Sequence, residues 1–432
     1  MELLEAKKEQ LLKGKYDSVF HALYGGGAAV QAARYAAAVD SFCALFGKGR
    51  SGYLFSAPGR TEVGGNHTDH QHGRVLAAGV NLDVIAVVSP NNTGVITIHS
   101  EGFDPDFVDS SDLTVHEDEK NHSQSLVRGM CAAFREKGFQ YGGFDAYTIS
   151  NVLKGSGLSS SAAFEVLVGE ILNYLYNDNQ IDPVTIAQMA QYAENVYFGK
   201  PCGLMDQTAC AVGGFVAIDF ENTSRPVVER VDFSFADCGH DLVITDTKGN
   251  HSDLTDDYAA IRNEMCAVAK EFGKETLRFV DEGNFYSRLG ELRKKVGDRA
   301  VLRAIHFFDD NRRAKEEADA LRQNDFERFK DLICQSGQSS FMHLQNAYSI
   351  HDPASQGIPL GMAVSERILA GHGAWRVHGG GFAGTMQAFV PCKMTKTYCD
   401  AMEAVFGKNS CHILSVRPVG AVCVEPDLKI EQ

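Results

Sequence analysis

The chain has 432 residues, 44% of them hydrophobic and 22% charged, and carries a formal charge of −15 at neutral pH. That length supplies core for two or three domains, and the acidic balance argues against a nucleic-acid or anionic-membrane partner. Eleven cysteines, an odd number with no Cys-x-x-Cys pair, argue against a disulfide framework and a four-cysteine zinc site, and fit a reducing cytoplasm.

The chain opens with MELLEAKKEQLLKGKY, which is charged, helical in pattern and without the apolar core of a signal peptide. No apolar run approaches membrane-spanning length. Residues 1 to about 50, including the Ala-rich AAVQAARYAAAVDSFCALFG, read as helix used for packing. A strand end follows at Tyr53 to Phe55, and buried strands are expected over Val75 to Val80 and Val84 to Val88. Between them lies a dense polar segment: Arg60, Glu62, Asn66, His67, Asp69, His70 and His72. A polar cluster flanked by apolar strands is either a solvated loop or a site. The HTDHQH run matches no standard metal motif, so hydrogen-bonding or sugar-contacting roles are the commoner reading of its histidines.

An amphipathic helix is expected over 122–138, then a β-branched strand, FDAYTISNV, from Phe144 to Val152. The loop Lys154-Gly155-Ser156-Gly157-Leu158-Ser159-Ser160-Ser161 comes next, and a helix after it. Glycines permit close backbone approach, serines can cap the helix, and a helix N-terminus suits a phosphate. The loop is neither a Walker A sequence nor a dinucleotide fingerprint, and taken alone a plain turn is the commoner reading.

A helix over 183–196 stops near Gly199-Lys200-Pro201. Asp206 then stands among Leu204, Met205 and Ala209, before a strand from Gly214 to Phe220. It is either the N-cap of a turn starting at Gln207 or a general base in a desolvated pocket, and the residues leave both open. In the second half LVITDT reads as a strand, and a long helix starts at Asp256 with Thr255 as its N-cap. A charged amphipathic helix spans 311–334, and another helix spans 358–370. WRVHGGGFAGTMQAFVP reads as a strand, a glycine loop, and a strand or helix. Strands and helices mix without βαβ regularity, so the fold class is α+β.

Three separated segments, APGRTEVGGNHTDH (57–70), GSGLSSSAA (155–163) and HGGGFAGT (378–385), resemble in order the three motifs of the GHMP small-molecule kinases. The first resembles the galactokinase signature in particular, and CGLMDQ (202–207) and HSDLTDDY (251–258) are similar to galactokinase segments. The resemblance implies a two-domain GHMP kinase architecture, here 1–225 and 226–432, with the active site in the interdomain cleft. It implies Asp206 as the catalytic aspartate that takes a proton from the sugar C1 hydroxyl, with Arg60 beside it. It implies His67 and Asp69 as holders of sugar hydroxyls, with Gly203 and Tyr258 as further sugar contacts. Gly155, Ser156, Gly157, Leu158, Ser159, Ser160 and Ser161 match the loop that wraps the ATP phosphates, and Ser161 and Glu194 match the magnesium ligands. Asn66 stands where the family has a glutamate that reaches the sugar's outer hydroxyl. Thr61-Glu62 replaces a hydrophobic-asparagine pair, Ala383 replaces a glycine, and SSFMHLQNAYSIHDP does not match the family's serine-rich segment clearly.

The expectation is therefore an ATP- and Mg2+-dependent sugar 1-kinase of the cytoplasm, acting on galactose, with a monomeric or weakly oligomeric chain. The alternatives are a GHMP kinase for a uronic acid, arabinose or an amino sugar; a sensor that binds sugar and ATP without turnover; and a metalloenzyme built on HTDHQH.

Overall fold

Two long strands, β2 (Ser51–Gly64) and β3 (Arg74–Pro90), form the spine of the molecule. Both are buried along nearly their whole length, as expected where a sheet is covered on both faces. Successive side chains of a strand point to opposite faces, and here they feed two cores. Phe55, Val84, Ala86 and Val88 enter one with the helices Ser123–Glu136 and Ser160–Tyr176. Leu54, Ile85 and Val87 enter the other, under three N-terminal helices, Leu4–Leu12, Asp17–Tyr24 and Ala28–Phe46. The computed structural model describes residues 1–152, 157–249, 254–382 and 384–430.

The larger sheet runs β1 (Glu2–Leu3), β2, β3, β6 (Phe144–Ser150), β4 (Val95–Ser100) and β5 (Asp106–Asp109). Beyond the N-terminal half of β3 lie β7 (Phe215–Asp219) and β8 (Val227–Val231), and β13 (Val422–Cys423) pairs with β2. Every pairing is antiparallel except β4 with β6. The β2–β3 register shifts between Pro58 and Arg60 and again between Glu62 and Gly64. Such irregularities re-aim side chains, and they fall on the polar segment. The smaller sheet is antiparallel throughout, in the order β10 (Ala374–Val377), β11 (Thr385–Pro391), β9 (His240–Asp246) and β12 (Cys411–Leu414). An aromatic chain joins the sheets: Phe215 packs on Phe235 at 6.2 Å between centroids, and Phe235 on Phe389 at 6.0 Å.

Two sequence expectations change. The charged segment 311–334 is not one helix but parts of two, Asp298–Arg322 and Phe326–Ser339. Asn324 takes a left-handed φ of 53° between them, and Asp325 caps the second by accepting the Arg328 N–H at 3.0 Å. Thr255 is not an N-cap: Leu254 holds that position, and Thr255 is the first helical residue of Thr255–Lys270. The division near residue 225 falls between β7 and β8, which pair with each other, and the chain returns to the larger sheet at β13.

A buried polar cluster anchors that return. Asp83 is fully buried and accepts from Tyr24 (2.6 Å), Arg34 (2.6 Å) and Arg417 (3.4 Å). One carboxylate thus ties the N-terminal helices, β3 and the C-terminal segment.

Candidate active site

Arg60 leaves β2 at the first register shift, and Asp206 is the second residue of the helix Met205–Val212. They meet as a bidentate pair, Nε to Oδ1 and Nη2 to Oδ2, both at 2.7 Å. Ser159 Oγ also donates to Asp206 Oδ2, and Arg60 Nη1 donates to the Gly157 carbonyl. The Arg60 N–H reaches the Leu158 carbonyl at 3.1 Å. The described end of the Gly/Ser loop is therefore laced to the arginine that holds the aspartate. Ser159 does not cap its helix; it sits in the left-handed region at φ 55°, and its hydroxyl serves Asp206 instead.

Asp206 is thus no N-cap, since Leu204 holds that place. Burial pushes its carboxyl up, but the Arg60 charge and the hydrogen bonds from Arg60 and Ser159 outweigh burial and leave it below its ordinary value. The side chain remains 32% exposed. An ionised carboxylate faces open space with a cation behind it.

A second cluster gathers beside the helix Ser160–Tyr176. Ser161 Oγ donates to Glu194 Oε1 at 3.4 Å, where Glu194 lies in the wide helical turn Ala193–Phe198. Gln207 Nε2 donates to Glu194 Oε2 at 2.7 Å and to Glu165 Oε2 at 3.2 Å. Lys200 Nζ reaches Glu194 Oε1 at 3.2 Å. A hydroxyl and a carboxylate present hard oxygen donors, which suit magnesium with phosphate and water completing the shell. Sequence reading passed over Glu165, Lys200 and Gln207. Glu165 stands four residues after Ser161 on one helix, the spacing of a shared face, and that signal was available.

A third group surrounds the glycine segment 379–381. His67 Nε2 donates to the Gly380 carbonyl at 3.0 Å, and the Tyr258 hydroxyl donates to the Gly381 carbonyl at 3.1 Å. Gly380 threads between them so closely that a Cβ there would stand 2.5 Å from the Tyr258 ring. Asp69 is half-buried, its Oδ2 3.0 Å from where a Cβ on Gly203 would lie. Among the described residues no three His, Cys, Asp or Glu side chains converge as metal ligands, HTDHQH included.

Asn66 behaves otherwise than the sequence suggested. It is fully buried, and its amide is consumed: Nδ2 donates to Glu62 (2.9 Å) and the Gly379 carbonyl (2.7 Å), while Oδ1 accepts from Asn346 (2.8 Å) and Ser340 (3.2 Å). All four of its side-chain valences are filled by protein, so it is a joint behind the glycine loop rather than a group presented to a ligand. Glu62 beside it pairs with Arg376 at 2.9 Å; burial raises its carboxyl to about 7, with Arg376 and Asn66 opposing. His378 bridges Thr61 (3.0 Å) and Thr385 (2.9 Å), and burial with the Arg60 and Arg376 charges lowers it to about 3.

Ser160 and Ser161 line a cavity of about 490 Å³ together with Leu126, Val152, Phe164 and Phe198. A largely apolar slot lined also by hydroxyls at a helix N-terminus fits a flat ring with attached phosphates. A larger cavity of about 570 Å³, lined by His21, Gly214, Arg230 and Ser415, shares no residue with this site. Lys154, Gly155 and Ser156 lie outside the described residues, as do His251, Ser252 and Asp253.

Comparison with known proteins bears on the family and the fold. Residues 125–214 match the GHMP kinases N terminal domain, and residues 40–90 match the galactokinase galactose-binding signature. The chain is 30% identical over 362 residues to a galactokinase of Actinobacillus pleuropneumoniae, covering 82% of this chain and 89% of that one. It is 29% identical over 372 residues to a galactokinase of Streptomyces coelicolor, covering 85% and 92%. Among solved structures, Lactococcus lactis galactokinase complexed with galactose superposes with a TM-score of 0.74 at 20% identity, over 89% of this chain and 98% of that one. Methanococcus jannaschii mevalonate kinase superposes with a TM-score of 0.58 at 11% identity, over 85% and 98%. These superpositions speak to the fold.

Proposed function

Because this chain belongs to the galactokinase family of the GHMP kinases, we propose that it phosphorylates galactose with ATP at the C1 hydroxyl, giving galactose 1-phosphate. The observation that carries the reading is the Arg60–Asp206 pair, bidentate at 2.7 Å and tied to the phosphate loop through Ser159 and Gly157.

The C1 hydroxyl donates to Asp206, with Asp69 and His67 on the remaining sugar hydroxyls and Tyr258 on the opposite wall. Phosphoryl transfer asks for positioning and charge neutralisation more than for covalent chemistry. The depressed carboxyl makes Asp206 a weak base. It orients the hydroxyl in the ground state and receives the proton late, once bonding to phosphorus has made that proton acidic. Arg60 keeps it ionised until then. Ser159 to Ser161 and the start of their helix receive the phosphates. Ser161 and Glu194 would hold Mg2+, which supplies charge neutralisation on the phosphate oxygens. The 490 Å³ cavity takes the adenine. The architecture is two-domain, the cleft lying between the phosphate-loop half and the half that carries Tyr258 and Gly380. Eleven free thiols and the lack of any membrane-length apolar helix among the described residues support a cytoplasmic setting. We take the chain as a monomer or weak oligomer.

The test is ADP release with magnesium-ATP over a panel of sugars, beside Asp206→Asn. Galactose turnover that falls about 10²–10⁴-fold in the mutant is expected. A wild-type protein that turns over no sugar while still binding ATP would return the sensor reading.

A further inference from the structure

Glu194 carries two claims on one oxygen. Its Oε1 accepts the Ser161 hydroxyl at 3.4 Å and the Lys200 ammonium at 3.2 Å, while Oε2 is taken by Gln207. A divalent cation seated between Ser161 and Glu194 needs that same Oε1, and an ammonium and a cation at one oxygen repel strongly. The lysine is the mobile partner. Glu194 is 3% exposed and fixed from behind, whereas the Lys200 side chain is 61% exposed, on the loop 199–203. An ion pair with an exposed, flexible partner is weakly held. Behind it Glu165 is fully buried, with no partner for Oε1 among the described residues. Lys200 is therefore the cation that Glu194 holds when no other is present.

We propose that Lys200 is a resident counter-charge of the cation site, pairing with Glu194 while the nucleotide site is empty and yielding it to the divalent cation that arrives with ATP, after which its ammonium moves onto the phosphate chain. The inference rests on the Ser161–Glu194 cation site proposed above. The position of Lys200 supports the second half. Its ammonium meets the Ser161 hydroxyl at one Glu194 oxygen, at the start of the helix Ser160–Tyr176, and the other Glu194 oxygen is held by Gln207, the residue next to Asp206. The phosphoryl group passes between those two carboxylates. There the ammonium acts with Arg60 and the metal on charge spread over the transferring oxygens.

The test titrates the nucleotide-free, full-length protein with Mn2+ alone, read by electron paramagnetic resonance, and compares wild type, Lys200→Met, Lys200→Arg and Glu194→Gln. Lys200→Met is expected to bind Mn2+ about fivefold more tightly than wild type, the scale of a weak exposed ion pair. Its KM for ATP rises and its kcat falls, and Lys200→Arg returns all three toward wild type. Equal Mn2+ affinity in wild type and Lys200→Met, or no binding by either, overturns the counter-charge role. Unchanged KM and kcat overturn the phosphate role. Glu194→Gln separates the inference from its premise. If that variant binds Mn2+ as wild type does, the cation site itself fails. If it loses Mn2+ while Lys200→Met gains nothing, only the role of Lys200 fails. Thermal melting of each variant verifies that it is folded.

Discussion

Asp206 and Asn66 lie in the two stretches that match family descriptions, 125–214 and 40–90, and their surroundings assign them opposite tasks. Asp206 meets open space with its charge stabilised from behind by Arg60 and Ser159. Removing that cation while keeping its bulk, with Arg60→Met, leaves burial as the dominant influence on the carboxyl. The acid limb of kcat/KM should then move to higher pH, since the active ionised form persists only above the shifted pKa; a pH–rate profile in both proteins checks this. Asn66 meets no solvent at all. Asn66→Ala strips partners from Glu62, Ser340 and Asn346. At about 1–3 kcal/mol for each buried group left unsatisfied, the midpoint of urea unfolding should fall clearly. A sugar lacking C6 should also be turned over within about tenfold of galactose, because a lost contact worth about 1.4 kcal/mol is tenfold, and Asn66 offers no such contact.

Local elements repeat the lesson that pattern is legible and partnership is not. The strand Phe144–Ser150, the loop and the helix Ser160–Tyr176 follow from β-branched runs, glycines and apolar spacing. The break at Asn324 was less visible, because the acid–base pairs run through it without interruption; only the Asn-Asp pair, suited to a left-handed residue and an N-cap, marks it. Asp325→Ala should cost about 0.5–2 kcal/mol, measured by denaturation. The loop's serines were read as possible caps, and the Ser159 hydroxyl bonds Asp206, a partner 47 positions away. Asn66 was expected at the sugar and instead bonds Asn346, 280 positions away. Contacts of that separation are created by the fold, so no local pattern encodes them.

For the whole molecule, buried titratable groups set a pH dependence with a definite sign. Burial raises Glu62 to about 7 and Glu170 to about 8 from an ordinary 4.5. The folded state therefore binds protons that the unfolded chain releases, and this stabilisation, complete below pH 4.5, is lost as pH rises through 7 and 8. Burial lowers His70 and His306 to about 4 and His378 to about 3 from 6.5, which favours the fold increasingly up to pH 6.5 and adds nothing beyond. Stability should thus decline from pH 6.5 to 8.5, and Glu170→Gln should flatten that decline in denaturation curves taken at both ends.

The Asp83 cluster bears on how the molecule comes into being. Asp83 sits in the middle of the larger sheet, yet one of its cations, Arg417, lies 334 residues downstream. Before Arg417 is made, Asp83 already pairs with Arg34, but β2 still lacks its pairing with Val422–Cys423, so during synthesis the spine of the sheet waits for a segment still inside the ribosome. Domains made first usually fold first; here the first half cannot seal itself, and the growing chain stays open to chaperones and proteases until its last strand emerges.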